Sequence, residues 1–378
     1  MPSSTSRPEA DTVEHDSSAV AFPGSNPARA TSAAGLTPEQ MLIEAAARRL
    51  EAGELVAFPT ETVYGLGADA ENPAAVAAIY RAKERPSNHP VIVHLAPGAD
   101  PGYWSSAVGP MAQQLMAAFW PGPLTLILPR ATHIPDAVSG GQASIGLRCP
   151  AHPVAQALLR SFKAGRGGIA APSANRFGHV SPTTAQHVRD EFRDSTRVTC
   201  VLDGGQSEVG IESTIVDLTR GSPVLLRPGH VSAAQLAEVL GVQPGVPDAT
   251  APRASGTLEA HYAPAAAVAL VGSVQLPGTL AALVEAGRRV ALLHFSPMTE
   301  LGAAAAAIAA RAALPCTPAA FAHDLYAGLR ALDQIGIELI LVEAPPKTAD
   351  WYAVNDRLKR AAHASTAVLA ALLGRSQG

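Results

Sequence analysis

The sequence predicts an α/β protein built from two units, and three observations support this fold class. Between residues 37 and 241, short apolar runs of the β-strand type alternate with helical patterns. Residues 242–264 are rich in Gly, Pro, Ala, Thr and Ser and have no periodic pattern, which is typical of a linker. Strands and helices alternate again over residues 265–378, and this alternation predicts a smaller, doubly wound domain with a parallel sheet.

The first 36 residues come before any regular pattern. They are rich in Ser, Pro, Ala and acidic residues and have no apolar core, so we expect a disordered tail and neither a signal peptide nor a transit peptide. Thr37-Pro38-Glu39-Gln40 then has the form of a capping box and predicts the start of the first helix, which Gly53 ends.

The later elements follow from hydrophobic periodicity. In the first unit we predict a helix over 73–81 and strands at 55–58, 91–95, 124–128, 144–148, 168–171, 198–202, 213–217 and 224–227. In the second unit we predict strands at 267–271, 289–295 and 338–342, with helices ending at 286, around 303–311, over 318–332 and at the C-terminus. This unit lacks the Gly-x-Gly-x-x-Gly turn of dinucleotide-binding domains, so we assign it no organic cofactor.

Composition excludes several classes of protein. With 47% hydrophobic and 16% charged residues, the chain is of the globular type, and a net charge of -4 does not favour general binding to a polyanion. Cys149, Cys200 and Cys316 are far apart, which argues against a disulfide framework or structural zinc and predicts a reducing cytoplasm. The longest apolar stretches, around 303–314 and 361–373, are too short or too interrupted to predict a membrane span.

Polar side chains recur at the ends of the predicted strands of the first unit. Each of them alone is explained as a turn or cap residue. Because ligand crevices of α/β sheets lie at strand ends, their recurrence predicts a binding cleft. The residues are Thr60, Thr62, Arg148, Ser173, Asn175, Ser213, Thr214 and Arg227.

Two cations, Lys83 and Arg85, stand close together in the stretch Ala82-Lys83-Glu84-Arg85-Pro86. They indicate an anion site, although a solvated basic helix end explains the same pattern. His94 lies within an apolar strand and is either a core histidine or a ligand group. His89 and His94 have no suitably spaced third partner, so we expect no metal site there. The sequence also has no P-loop, no His-Glu-x-x-His and no Gly-x-Ser-x-Gly.

Several of these segments together resemble one known family. The segments are Pro59-Thr60-Glu61-Thr62-Val63-Tyr64-Gly65-Leu66, Lys83-x-Arg85, Trp120-Pro121-Gly122-Pro123-Leu124-Thr125, Ala171-Pro172-Ser173-Ala174-Asn175, Ile211-Glu212-Ser213-Thr214-Ile215-Val216-Asp217, Leu226-Arg227-Pro228-Gly229 and His261-Tyr262-Ala263-Pro264. In this order they resemble the threonylcarbamoyl-AMP synthases of the YrdC family in their two-domain form. The resemblance covers roughly residues 37–375 and implies a YrdC-like catalytic domain with a twisted mixed sheet and a concave cleft, followed by a Rossmann-like domain. His89 departs from the family pattern, in which many members carry Asn.

The resemblance implies a nucleotidyltransferase that condenses L-threonine, bicarbonate and ATP into L-threonylcarbamoyl-AMP and pyrophosphate. The product would pass to a transferase complex that makes the t6A modification in tRNAs reading codons that begin with A, so direct contact with tRNA would be weak or indirect. Mg²⁺ would enter bound to ATP, without protein ligands. The leaving pyrophosphate calls for cations more than for a general base, and Lys83, Arg85 and Arg227 are of that kind.

The resemblance also implies roles for individual residues. Threonine would be held by Thr60, His94, Arg148, Ala171 and Ser213. ATP would be held by Arg85, His89, Ser144, Ser173, Ser181, Arg227 and Tyr262. Lys83, Arg85, Ser173 and Asn175 would form the catalytic phosphate site. The His261-Tyr262 segment would close over the cleft as a lid and shield reactive intermediates from water.

Three alternatives belong to other functional classes. An RNA-binding module of the same fold would grip a phosphate backbone, but 4% aromatic residues and net negative charge offer little for stacking or counterion release. A nucleotide-binding regulator without catalysis would not need the set formed by Lys83, Arg85, Ser173 and Asn175. The carbamoyl-transfer step of hydrogenase maturation would require an acylphosphatase segment and a Cys-rich zinc segment, which this chain lacks.

Overall fold

The computed structural model describes residues 36–374. The tail predicted for residues 1–36 therefore lies outside the described residues, apart from residue 36. In the described part of the chain, none of the helices combines the length and the apolar composition needed to cross a bilayer.

The first unit contains a nine-stranded mixed sheet in the order β7-β1-β2-β6-β3-β5-β4-β8-β9. Its strands are β1 Val56–Phe58, β2 Gly65–Asp69, β3 Ile92–Leu95, β4 Leu124–Pro129, β5 Ser144–Arg148, β6 Gly168–Ala170, β7 Cys200–Val201, β8 Thr214–Asp217 and β9 Val224–Arg227. β3 pairs with β5 and β4 pairs with β8 in parallel, whereas β2 and β6 pair antiparallel. The mixed sheet that the family resemblance implied is confirmed.

Sequence periodicity missed β2, which reads Gly-Leu-Gly-Ala-Asp. Glycine is unfavourable in strands, so this pattern does not predict one. Gly67 is required by packing, since a Cβ atom there would come within 2.8 Å of both Ile169 and the Phe58 ring. Close approach of neighbouring strands therefore outweighs local propensity at this position.

Helices cover both faces of the first sheet. They are α1 Pro38–Glu51, α2 Pro73–Lys83, α3 Pro110–Phe119, α4 Pro153–Ser161, α5 Ala185–Glu191 and α6 Ala233–Leu240. The predicted capping box is confirmed, because Thr37 and Gln40 exchange hydrogen bonds between side chain and backbone at the start of α1. α1 and α4 pack on one face around Leu50 and Leu158, and the remaining helices contribute to the core on the other face.

The second unit contains a four-stranded parallel sheet in the order β10-β13-β11-β12. Its elements are β10 Ala267–Val271, α7 Leu276–Glu285, β11 Val290–His294, β12 Ala310–Ala313, α8 Pro318–Asp333, β13 Leu339–Glu343, α9 Tyr352–Ala361 and α10 Ser365–Leu372. α7 and α10 pack against one face and α8 and α9 against the other, so the predicted doubly wound arrangement is confirmed.

The helix predicted around 303–311 is wrong. Residues Ala303–Ala306 form one 3-10 turn, and Ala310–Ala313 form the edge strand β12 beside β11. The alanine-rich sequence favours a helix locally, but backbone pairing with an exposed sheet edge outweighs that propensity. The predicted final helix is divided into α9 and α10.

The segment between the two units, residues 241–266, contains no helix or strand. It runs back across the first sheet, because Gly245 pairs with Val224 and Ala263 pairs with His179. Residues 253–262 of this segment, which we call the lid, pass over the strand ends of the first sheet.

Candidate active site

A small cavity lies under the lid at the strand ends of the first sheet. Its volume is about 40 Å³, which is room for only a few water molecules. Its walls come from the loops after β1 and β6, the residues before β8, strands β3, β5 and β9, and the lid. The lining residues are Thr60, Thr62, Val63, Tyr64, Gly65, Ile92, His94, Arg148, Ala171, Pro172, Ser173, Glu212, Ser213, Arg227, Ser255, His261 and Tyr262.

The loop after β1 supplies one wall of the cavity. Thr60 Oγ1 donates to the Val63 carbonyl at 2.6 Å and lies 2.9 Å from Thr62 Oγ1. Arg148, the last residue of β5, donates from Nη1 to Thr62 Oγ1 at 2.9 Å. Its Nη2 lies 2.7 Å from Glu61 Oε1, and both charged groups are almost completely buried. The loop and β5 are thus locked together by a buried ion pair beside the cavity.

His94 contributes a neutral imidazole to the cavity. Burial, and then the Arg148 charge, lowers the pKa of His94 to about 3. Its Nδ1 atom is buried without a hydrogen-bond partner, and its ring meets the Phe58 ring edge to face at 6.0 Å. The two roles left open for this residue therefore meet, since His94 packs in the core and also lines the cavity.

Arg227 and Ser213 connect the sheet to the lid. Arg227 Nε donates to the Ser213 carbonyl at 3.0 Å, and its Nη2 donates to Ser213 Oγ at 3.0 Å. Its Nη1 donates to the carbonyl of Ser255 in the lid at 2.7 Å. Ser213 Oγ also lies 2.8 Å from Thr125 Oγ1. One guanidinium group thereby fixes a strand-end serine and the lid backbone at the same time.

Lys83 lies behind the loop that carries Ser173 and Asn175. Its Nζ donates to the carbonyl of Ser173 at 2.6 Å and to the carbonyl of Asn175. The Asn175 amide nitrogen donates to the carbonyls of Arg176 and His179, which leaves Asn175 Oδ1 buried without a partner. Ser173 lines the cavity, whereas Lys83 and Asn175 shape its wall from behind.

Arg85 and His89 lie at the rim under the lid. Arg85 Nη2 donates to the Pro90 carbonyl at 3.0 Å and to Ser255 Oγ at 3.4 Å. Its guanidinium carbon lies 5.7 Å from the centre of the Phe177 ring, and the His89 ring meets Phe177 edge to face. Arg85 is buried, while His89 is only partly buried.

Within residues 36–374, no carboxylate contacts three of the cations around the cavity. The hydrogen bonds that Lys83, Arg85 and Arg227 donate all end on carbonyl or hydroxyl oxygens. Burial, and then the neighbouring Arg85, holds the pKa of Lys83 well below its usual value, and burial lowers the pKa of Arg85 to about 10. Burial also lowers the pKa of Arg227. An anion placed among these three groups would favour their charged forms and offset the cost of burying them, so the region is suited to an anion.

Buried polar atoms without hydrogen-bond partners concentrate at the same place. In the described part of the chain these atoms belong to eight residues, of which Ser207 and His294 lie elsewhere. The other six lie in or beside the cavity: Glu61 and Arg148 face each other there in the ion pair described above, whereas Arg85, His94, Asn175 and His261 each keep a buried polar atom without a partner. Since buried polar groups in proteins are nearly always paired, such a concentration indicates a site for a polar ligand.

The lid is held down at several points. Gln142 exchanges two hydrogen bonds with the backbone of Arg253, at 2.8 and 3.1 Å. Tyr262 is buried and has a left-handed backbone with φ of 61°, and its hydroxyl donates to the Gly256 carbonyl at 3.3 Å. Burial, and then Glu212, raises the pKa of Tyr262 to about 12, so the phenol stays neutral. A strained backbone held by packing is typical of functional segments.

The predicted site residues divide into two groups. Those that line the cavity are Thr60, His94, Arg148, Ala171, Ser173, Ser213, Arg227 and Tyr262, whereas Lys83, Arg85, His89, Ser144, Asn175 and Ser181 stand around it. Ser144 begins β5 opposite Pro129, and Ser181 donates from Oγ to Glu212 Oε1. The Ala171 amide donates to the Ile92 carbonyl at 2.9 Å.

Sequence reasoning missed Glu61, Glu212 and Ser255 as members of the site. Glu212 is buried beside Ser213, and although burial alone would raise its pKa, the charges of Arg357 and Arg227 outweigh that effect and lower it. Its position as a charged residue within the largely apolar run 211–217 could have indicated that it belongs to the site. Ser255 had none, since its contacts depend entirely on the path of the lid.

Lowering the pH from 7 to 5 is expected to destabilise the fold, partly through His94. The folded protein keeps this imidazole neutral, whereas the unfolded chain takes up a proton below about pH 6.5. Unfolding then binds a proton, so the free energy of unfolding falls by about 2 kcal/mol over this range. Urea titrations should show that His94→Gln removes this part of the loss, while His363→Gln, at an exposed position, does not. Equal losses in all three proteins would contradict the assignment.

Comparison with known proteins identifies both units. A family model described as "Telomere recombination", for Sua5, YciO and YrdC proteins, matches residues 48–229, and one described as "Threonylcarbamoyl-AMP synthase, C-terminal domain" matches residues 231–363. Threonylcarbamoyl-AMP synthase of Pyrococcus abyssi is 36% identical over 334 residues, covering 85% of this chain and 94% of the relative. The Bacillus subtilis enzyme of that name is 39% identical over 332 residues, covering 85% and 92%.

Among solved structures, the crystal structure of P. abyssi Sua5 complexed with L-threonine superposes with a TM-score of 0.78. It is 34% identical, and the match covers 87% of this chain and 96% of that one. Its fold and both of its units are therefore shared over nearly their whole length. The chain thus belongs to the family of two-domain threonylcarbamoyl-AMP synthases of the Sua5 type.

Proposed function

We propose that this protein condenses L-threonine, bicarbonate and ATP into L-threonylcarbamoyl-AMP, pyrophosphate and water, as a nucleotidyltransferase. The observation that carries the proposal is that three cations without a described carboxylate in contact and four residues with unpaired buried polar atoms, Arg85, His94, Asn175 and His261, lie at one cavity. An amino acid brings opposite charges and a hydroxyl, and ATP brings a polyanion. Together these substrates match the two kinds of group that the cavity offers.

The threonine part of the proposed site is the wall formed by Thr60, His94, Arg148, Ala171 and Ser213. Arg148 is the cation of this wall and suits the threonine carboxylate. The neutral His94 imidazole and the Ser213 hydroxyl suit the amine or the threonine hydroxyl. Removing any of these contacts would leave a buried polar group without a partner, which explains how such a site distinguishes threonine from apolar amino acids.

The ATP part of the proposed site is the electropositive rim. Arg85, His89, Ser144, Ser173, Ser181, Arg227 and Tyr262 would contact the nucleotide, and Lys83 and Asn175 would support the Ser173 loop. The threonine amine captures carbon dioxide derived from bicarbonate as a carbamate, and a carbamate oxygen attacks the α-phosphorus. The bond to the bridging oxygen then breaks and pyrophosphate leaves. Fixed cations stabilise the charge that spreads over the phosphates in this step.

Mg²⁺ would enter with ATP as part of the substrate. Glu61 and Glu212, the carboxylates beside the cavity, are engaged by Arg148 and Arg357. The phosphates themselves would therefore hold the ion, which would neutralise part of their charge. We place the reaction in the cytoplasm, because the described cysteines Cys149, Cys200 and Cys316 are all free thiols. The product would pass to a t6A transferase complex, and tRNA would bind only weakly or indirectly.

The lid would open to admit ATP and close over it. The cavity of about 40 Å³ supports this motion, since ATP cannot enter while residues 253–262 lie in the cleft. Closure would keep water from a carbamate and a mixed anhydride, both of which water destroys.

Replacing Gln142 with alanine is expected to loosen the lid. The change removes both hydrogen bonds to the Arg253 backbone while leaving the cavity walls intact. Stopped-flow measurements should show faster association and faster dissociation of ATP, each by several-fold, because opening limits both steps. Threonine binding without ATP should be unaffected. If ATP rates match those of the unmodified protein, the lid does not gate ATP.

The test of the proposed function is an omission assay. Purified protein is supplied with ATP, threonine, bicarbonate and Mg²⁺, and pyrophosphate is measured with each component left out in turn. We expect release only with all four present and threonylcarbamoyl-AMP as the accompanying product. Release that does not depend on threonine would sink the proposed reaction. Strong, salt-sensitive RNA binding without ATP turnover would instead favour the RNA-binding alternative, and nucleotide binding without turnover the regulatory one.

A further inference from the structure

Helix α9 of the second unit carries an arginine that is completely buried against the first unit. Arg357 Nε donates to Glu212 Oε2 at 2.7 Å, and its Nη2 donates to the Glu212 carbonyl at 3.2 Å. Its Nη1 donates to Asp356 Oδ2 at 2.8 Å. All of its charged nitrogens are thus engaged, two of them on the residue that directly precedes Ser213.

The same face of this helix also holds the lid, because Arg360 follows Arg357 by nearly one helical turn. Arg360 Nη1 donates to the Leu258 carbonyl, and the His261 amide donates to the Arg360 carbonyl at 3.4 Å. Asp356 fixes the Arg360 side chain, with Oδ1 at 2.8 Å from Nη2. The Arg357 guanidinium carbon lies 5.4 Å from the centre of the Tyr262 ring. The end of the lid is thereby attached to α9 at both of its arginines.

Glu212 passes this arrangement on to the cavity. Its carboxylate also accepts from Ser181 Oγ and, at 3.0 Å, from the Tyr326 hydroxyl of α8. The next residue, Ser213, binds Arg227 through both its carbonyl and its hydroxyl. Arg357 of the second unit therefore fixes Glu212, and through the next residue, Ser213, it influences both the threonine part and the ATP part of the site.

Joining the two units does not by itself require this buried pair. Other contacts between the units lie away from the cavity, such as the His323 imidazole donating to the Glu208 carbonyl at 2.9 Å. Burying an arginine and a glutamate is costly in desolvation, and apolar side chains often stabilise such interfaces equally well. A buried ion pair does, however, fix orientation more strictly than apolar contact, and at this position the orientation it fixes is that of Ser213 and Tyr262.

We propose that Arg357 and Arg360 are positioning residues of the active site, so that the second unit acts on the reaction by clamping Glu212 and the lid. Arg357 sets the position of Ser213 and of the Tyr262 ring. Arg360 sets only the position of the lid. The inference rests on the proposed function and assigns the second unit a part in it.

The two arginines should have different kinetic signatures. Arg360→Gln is expected to raise the KM for ATP about tenfold, since one charge-assisted hydrogen bond to the lid is lost, and to leave threonine binding without ATP unchanged. Arg357→Lys keeps a positive charge near Glu212 but loses the forked contacts and the Tyr262 packing. It is expected to raise the KM for ATP and to weaken threonine binding as well, each about tenfold or more.

The matched control is His323→Ala, which removes a hydrogen bond between the units away from the cavity. Steady-state kinetics, calorimetric binding of threonine and of ATP, and thermal melting are measured for all variants. A purely structural role would lower kcat in proportion to the folded fraction and leave KM unchanged, and it would overturn the proposal. KM and affinity values within twofold of the unmodified protein would also overturn it. If Arg357→Lys does not fold, Arg360→Gln, whose side chain lies nearer the surface, decides the question alone.

Failure of the proposed function would look different. In that case the unmodified protein releases no pyrophosphate in the presence of all substrates. The proposed role of Arg357 and Arg360 would then fail together with the proposed reaction. An active unmodified protein whose clamp variants behave like His323→Ala would refute the clamp and leave the proposed reaction standing.

Discussion

Replacing Lys83 with alanine is expected to lower the kcat/KM of threonine-dependent pyrophosphate release about 100-fold or more. The change removes a buried positive charge beside the proposed phosphate site, and such fixed charges commonly account for an effect of this size. It also leaves the carbonyls of Ser173 and Asn175 without their donor, so the loop that presents Ser173 loses its support. Pyrophosphate release and the melting temperature are measured together, because the unpaired carbonyls also cost about 1–3 kcal/mol of stability.

Two further variants separate the charge from the fold. Lys83→Met keeps most of the side-chain volume without the charge and is expected to lose activity to a similar extent. Arg81→Ala removes an exposed cation two residues earlier on α2 and is expected to retain activity. If Lys83→Met stays within threefold of the unmodified protein, the ammonium group is not part of the catalytic arrangement.

Changing Arg227 to lysine is expected to lower kcat/KM about 100-fold even though the positive charge is kept. The guanidinium group reaches the Ser213 carbonyl, the Ser213 hydroxyl and the Ser255 carbonyl in three different directions. A compact ammonium group cannot make these three contacts from one position. Because the contacts connect the threonine wall to the lid, we expect the KM values for threonine and for ATP to rise together. Initial rates over a grid of both substrate concentrations measure this effect.

The control for Arg227 is Arg220→Lys, at the turn between β8 and β9. Arg220 binds Asp217 and Asp248 away from the cavity, so its replacement should leave both KM values unchanged. If Arg227→Lys has the same kinetics as Arg220→Lys, a positive charge at position 227 is sufficient for activity and the forked geometry of the guanidinium group is not needed.

Local sequence patterns predicted most of the elements that build the site. Ser144–Arg148 and Val224–Arg227 have the predicted bounds, because alternating or continuous apolar runs record how a strand is buried. The polar residues after these runs, including Arg148, Ser173 and Arg227, do meet at one cavity. The motif resemblance added residues such as Tyr262, whose place at the cavity no periodicity could indicate.

Elements that depend on distant partners were missed or wrongly predicted. β2 forms because Gly67 lets it approach β6 and the Phe58 ring closely, and β12 forms because β11 offers it a free edge. In both cases pairing across the fold outweighs what the residues prefer alone. The sequence also could not predict that the Lys83 side chain points inward, since the end of its helix could equally have placed the ammonium group in solvent.

By itself, the sequence determined the fold class, the family and the set of polar residues that form the site, because these follow from local periodicity and from motifs. Only the tertiary structure decided how these residues divide the work. It directs Lys83 to the carbonyls of the Ser173 loop, brings Ser255 of the lid onto Arg227, and buries Arg357 of the second unit against Glu212. The physical reason is that each of these contacts joins residues between 28 and 145 positions apart, and no local pattern encodes such a pairing.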